Sequence, residues 1–66
     1  MKISLVVSGR RKAASLRDGA SIADVIRKEK LNGETLIVRL NGRLAHEDAQ
    51  LKAGDRLELI GVIYGG

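Results

Sequence analysis

The chain has no cysteine, proline, tryptophan or phenylalanine; Tyr64 is its only aromatic residue and His46 its only histidine. Without thiols there is no disulfide, no CxxC redox pair and no thiolate zinc site. A lone histidine cannot build a multi-histidine metal centre, so no metal is expected. The dearth of aromatics removes the stacking platforms on which single-strand RNA binders rely. No run approaches the ~18 apolar residues of a membrane span, and no leader peptide is visible. Met1-Lys2-Ile3-Ser4-Leu5 reads as the start of a strand and is the expected mature start, with a soluble cytoplasmic domain as the default. Ser4, Ser8, Ser15 and Ser21 have no histidine at a motif spacing, and His46-Glu47-Asp48 reads as a solvated loop. No catalytic residue is expected.

What remains is aliphatic and charged. The 66 residues are 44% hydrophobic and 30% charged, with a net charge of +4. That length specifies one domain, near the lower limit for a core unsupported by disulfides or metals. The positive charge fits either a nucleic acid or an acidic protein partner and does not choose between them.

Periodicity divides the chain into short elements. In residues 2–8, Ile3, Leu5 and Val7 alternate with Lys2 and Ser4, as in a half-buried strand; Val6 breaks the polar face. Gly9-Arg10 signals a turn, and residues 11–17 return as a second strand with Ala14 and Leu16 inward. Ser21 followed by Asp24 resembles an N-cap with an acidic third residue. Ile22, Val25, Ile26 and Leu31 then share one helical stripe of about three turns. Arg27, Lys28 and Lys30 suit its C-terminal dipole, and Asn32-Gly33 is the expected stop. Residues 34–40 alternate again, placing Leu36, Val38 and Leu40 together. Asn41-Gly42 is a strong type I′ hairpin signal, followed by a short strand over 43–45. Residues 46–53 are irregular, Gly54-Asp55 is a turn, and residues 56–63 form a last strand with Leu57 and Leu59 inward. The order is ββαβββ, an α+β fold with one main helix on a mixed sheet.

A single helix covers only one sheet face, so the other must be polar. Lys2, Ser4, Arg39, Arg56 and Glu58 comply, whereas Val6, Ile37, Ile60 and Val62 do not. If the first, third and last strands are neighbours, these four gather into an apolar patch rimmed by arginines, a candidate docking surface. Scattered surface aliphatics are the alternative, and Gly61 leaves room for a bulge that would change the register.

The ββαβββ order in so short a chain, running through Ile37–Leu40, Asn41-Gly42, Leu51, Gly54-Asp55 and Leu57–Ile63 into Gly65-Gly66, resembles the ThiS/MoaD sulfur carriers. These share the β-grasp, ubiquitin-like fold, and the archaeal ubiquitin-like modifiers share the same tail. The resemblance spans the whole chain, although the Pro-rich segment common before the MoaD glycines is missing. It implies a domain over residues 1–62 and a flexible tail over 63–66. It further implies that Gly66 is the point of activation and attachment, with Gly65 and Tyr64 recognised in the tail and Val6, Ile37, Arg39, Ile60 and Val62 docking a partner. No cofactor would be held permanently; ATP would be used by an adenylating enzyme of the ubiquitin-activating type. Other implied partners are a sulfur donor enzyme and a sulfur-accepting synthase or tRNA-thiolation enzyme, or lysines of target proteins. The acceptor could belong to thiamine thiazole, molybdopterin or tRNA thiolation. The reading from a different class is a small RNA-binding module using the basic stretches at residues 9–12 and 27–30. Their simpler reading is solvated charge, and neither membrane nor direct nucleic-acid contact is expected.

Overall fold

A computed structural model describes residues 1–31 and 33–62. Its elements are strands β1 (Lys2–Val7) and β2 (Arg10–Ser15), helix α1 (Ile22–Lys28), and strands β3 (Leu36–Leu40), β4 (Arg43–Leu44) and β5 (Arg56–Gly61). They build one sheet in the order β2-β1-β5-β3-β4. β1 and β5 run parallel, and every other pair is antiparallel.

The alternation works as the sequence suggests. Ile3 and Leu5 of β1 and Leu57 and Leu59 of β5 are buried against Ile22, Val25 and Ile26 of α1, with Leu51 closing the core. Leu5, Ile22, Leu57 and Leu59 are wholly inaccessible to solvent. Burying each such side chain stabilises the fold by about 1.5–3 kcal/mol before entropy is counted. The strands are close to expectation but shorter, and the first turn moves by one residue. Ser8 (φ 47°) and Gly9 (φ 85°) are its two left-handed residues, so β2 begins at Arg10 rather than after it. The Gly61 position is not a bulge. The β3–β5 register runs unbroken from Leu40↔Leu57 to Leu36↔Gly61, and the Val62 amide still donates to the Thr35 carbonyl at 2.9 Å.

The helix is seven residues long, two turns instead of three. Its start is as expected: the Ser21 hydroxyl accepts from the Asp24 amide at 3.3 Å, and the Asp24 carboxylate accepts from the Ser21 amide at 2.9 Å. That backbone bond, assisted by Arg27 nearby, lowers the Asp24 pKa below its ordinary value. Its end differs. Lys30, not Asn32-Gly33, stops the helix by taking φ 60°. The Lys30 amide then donates to the Arg27 carbonyl and the Leu31 amide to the Ile26 carbonyl. This is a Schellman closure in which Lys30 takes the left-handed position usual for glycine.

The irregular stretch 46–53 has a definite task. The amides of Ile22 and Ala23, orphans of the first helical turn, donate to the carbonyls of Ala49 (3.0 Å) and Glu47 (2.8 Å). The segment thus completes the helix cap while delivering Leu51 to the core.

Candidate functional site

The sheet face opposite α1 is built by strand alternation. Because β5 lies between β1 and β3, the outward residues fall into rows across the sheet. Arg11, Val6, Glu58, Arg39 and Leu44 form one row, and Ile60 and Ile37 are direct partners in the next. Val6 and Ile60 are half-buried, and Ile37 is 42% exposed. Three of the four expected apolar residues therefore share this face. Ile60 and Ile37 are side by side, Val6 is the diagonal neighbour of Ile60, and Glu58 separates Val6 from Arg39 in the adjoining row. Val62 lies one alternation beyond Ile60, past the end of β5. It borders a cavity of about 240 Å³ with Ser8, Leu31, Glu34, Leu36 and Gly61.

Leu44 completes the face and is absent from the sequence-based patch. It is 80% exposed, the most exposed large apolar residue among those described. The signal for it was available: a two-residue Asn41-Gly42 turn sets Leu40 opposite Arg43 and therefore Leu44 opposite Arg39, an outward position.

The face is electrically one-sided. Lys2, Arg11, Arg39 and Arg56 point outward by the same alternation, against the single carboxylate of Glu58. None of the ion pairs among the described residues includes Glu58. Arg39, its register partner, donates instead to the Gly42 carbonyl at 3.1 Å. By contrast, the two basic stretches proposed for RNA are partly engaged. Lys12 pairs with Glu29 at 2.6 Å, Arg27 pairs with Asp24, and Lys28 donates to the Ser15 carbonyl.

At one end of this face, β5 leads past Val62 toward the tail. Tyr64, Gly65 and Gly66 lie outside the described residues. The model of the ThiS family matches residues 5–66, almost the entire chain. The chain belongs to the ThiS family.

Solved structures agree on the fold of this ThiS-family chain. A protein of Pyrococcus furiosus assigned as molybdopterin converting factor subunit 1 superposes with a TM-score of 0.75 at 21% identity, over 94% of this chain and 98% of its own. SAMP1 of Haloferax volcanii gives 0.75 at 18% identity over the whole of both chains. A chain from the complex of subunits 1 and 2 of the Helicobacter pylori molybdopterin-converting factor gives 0.65 at 19% identity, again over both chains in full. The helix packed on a mixed five-stranded sheet is the β-grasp arrangement of these neighbours. No helix among the described residues is long and apolar enough to cross a membrane.

Proposed function

We propose that this ThiS-family protein is a sulfur carrier whose reactive group is the main-chain carboxylate of Gly66. The observation that carries the reading is the position of Gly65-Gly66. They follow the central strand of the sheet, which is held by β1 on one side and β3 on the other, as far as the Val62–Thr35 bond. In sequence, a Gly-Gly ending without Cβ atoms thus follows closely on the strand at the centre of the sheet.

The chemistry explains the glycines. A carboxylate is a poor electrophile. Attack of its oxygen on the α-phosphate of ATP, with loss of pyrophosphate, makes an acyl-adenylate. Sulfide delivered by a sulfur donor enzyme then displaces AMP and leaves a thiocarboxylate. The adenylating enzyme holds the ATP, and the carrier needs no bound cofactor. Residues without Cβ atoms pass a narrow channel and accept backbone angles closed to others. Tyr64 offers one amphipathic ring for the partner to grip. The outer face, with Val6, Ile37, Ile60, Arg39 and the newly placed Leu44, supplies the docking surface, with Val62 beyond the end of β5 adjoining it. The Helicobacter pylori complex, in which a chain of this fold meets a second subunit, supports a protein partner for such a carrier.

The test is intact-mass analysis after incubation with ATP, a sulfide source and a cognate adenylating enzyme. Mass should rise by the difference between sulfur and oxygen. Deleting Gly66, or adding one residue after it, should abolish the shift; an extended variant that loads as well as the parent refutes the terminal-carboxylate mechanism. Conjugates of high mass on a denaturing gel would instead mark transfer of the same acyl group to lysines. Ile37→Asp should leave folding intact, because Ile37 is already exposed, and weaken binding of the adenylating enzyme about tenfold or more. Unchanged affinity removes the face from the interface.

A further inference from the structure

The backbone hydrogen bonds of β3 do not close. Thr35, Ile37, Arg39 and Asn41 turn their backbone groups toward β5, as the Val62–Thr35 and Asn41–Arg56 bonds show at the two ends. Leu36, Val38 and Leu40 must therefore turn theirs the other way. There β4 is only two residues long. It covers Leu40 through Arg43, and the Ala45 amide reaches the Val38 carbonyl at 3.1 Å. Beyond that point β4 stops. The amide of Val38 and both backbone groups of Leu36 have no backbone partner among the described residues, and none of the side-chain hydrogen bonds among those residues reaches them. Among the described residues, a strand edge is open for about three groups.

That edge borders a groove. A cavity of about 430 Å³ lies between β3 and α1, lined by Leu36 and Val38 on the strand and by Ala23, Ile26 and Leu31 on the helical side. These five residues are its apolar lining, and Ile26 among them is buried. Its charged rim is Arg27, Glu34 and Glu47. Arg27 is already paired with Asp24. Glu34 and Glu47 are exposed and join none of the ion pairs among the described residues, so the groove carries an excess of negative charge on an otherwise basic protein.

We propose that this groove binds an extended, basic segment of a partner protein, which adds to β3 as an extra strand. The segment's backbone meets the free groups of Leu36 and Val38. Its alternate side chains meet the apolar lining, and its cations face Glu34 and Glu47. Strand addition draws affinity from main-chain bonds to an unpaired edge and specificity from side-chain pockets; here, among the described residues, such an edge, one cavity beside it and two unpaired carboxylates occur together. The groove lies on the opposite side of the sheet from Val6, Ile37 and Ile60. Its occupancy is independent of the tail chemistry, so a partner could hold it while the outer face is engaged.

Two blocked peptides, each an alternating valine–threonine strand flanked at both ends by lysine in one and by glutamate in the other, test the proposal against the full chain by amide-resolved NMR. The lysine peptide should shift Leu36, Val38, Ile26 and Leu31 and leave Val6 and Glu58, on the outer face, in place. The glutamate peptide should bind at least about tenfold more weakly. The double variant Glu34→Lys, Glu47→Lys, both at exposed positions, should reverse that preference. N-methylating the lysine peptide on the edge facing β3 should abolish binding, since its side chains and charge are kept while the strand hydrogen bonds are lost. Shifts confined to the outer face, equal binding of both peptides, or binding that survives N-methylation would each overturn the proposal.

Discussion

The two hairpins of this sheet make the same turn in different company. β1–β2 pivots on Ser8-Gly9 and β3–β4 on Asn41-Gly42, and in both pairs each residue has positive φ. The first turn is held to β5 by one backbone bond, from the Ser8 amide to the Leu59 carbonyl at 2.9 Å, makes no side-chain hydrogen bond among the described residues, and is followed by six paired residues. The second is tied into the structure and followed by only two. Asn41 donates to the Asp55 carboxylate at 3.1 Å and accepts from the Arg56 amide at 2.9 Å, and its own amide donates to the Arg56 carbonyl at 2.8 Å. Asp55 also caps the turn before β5 by accepting from the Lys52 amide at 2.8 Å. One hairpin is therefore stabilised by its length and the other by its turn. The brevity of β4 is what leaves the neighbouring half of β3 uncovered.

The comparison is broken most strongly at Asn41. Asn41→Ala puts a residue that disfavours left-handed angles at φ 52° and removes two side-chain hydrogen bonds, so it should cost about 1–3 kcal/mol. Urea denaturation followed by circular dichroism measures this. A cost no larger than that of a surface alanine elsewhere would mean that the turn network carries no stability.

Acid offers a second, smaller effect. The Asn41 side chain first, then the Lys52 amide, hold the Asp55 pKa below its ordinary value. A depressed carboxylate stabilises the fold fully above its unfolded pKa of about 4 and loses that contribution as pH falls through the folded value. Asp24, also depressed, acts in the same direction. The parent should therefore lose stability in acid. Asn41→Ala should lose less over the same range, because the main cause of the Asp55 shift has been removed. Parallel acid profiles for the two proteins would contradict this coupling.

The smallest effect belongs to the turn at Ser8-Gly9. Ser8→Asn supplies a residue that tolerates φ 47° better and should stabilise by about 0.5 kcal/mol. A destabilisation of that size, read as a lowered denaturation midpoint, would show that the serine hydroxyl has a role the geometry does not reveal.

These hairpins also show how far the sequence could be read. Asn41-Gly42 was legible because both residues favour left-handed angles. Ser8-Gly9 was placed one residue late because serine carries no such preference and the glycine alone drew attention. The N-cap at Ser21 was legible for the same local reason, while the Lys30 stop was not, since a lysine at positive φ is held by the Leu31–Ile26 contact. The apolar outer face was partly visible in Val6, Ile37 and Ile60. Glu58 is legible as an outward residue, but its place between Val6 and Arg39, like Leu44 at the edge and the groove beside α1, depends on strand order.

Taken by itself, the sequence determined what neighbouring residues decide between themselves: alternation in the strands, the Ser21–Asp24 cap, the Asn41-Gly42 turn and the Gly65-Gly66 ending. Tertiary structure decided what depends on residues far apart. The parallel union of β1 with β5 puts Leu5, Leu57 and Leu59 over one helix and so makes β5 central. The loop over 46–53 satisfies amides more than twenty residues away. β4 ends while β3 continues, and so opens an edge. Local preferences act through steric limits and short hydrogen bonds within a few residues. Strand order and exposed edges follow from which apolar faces can be buried together.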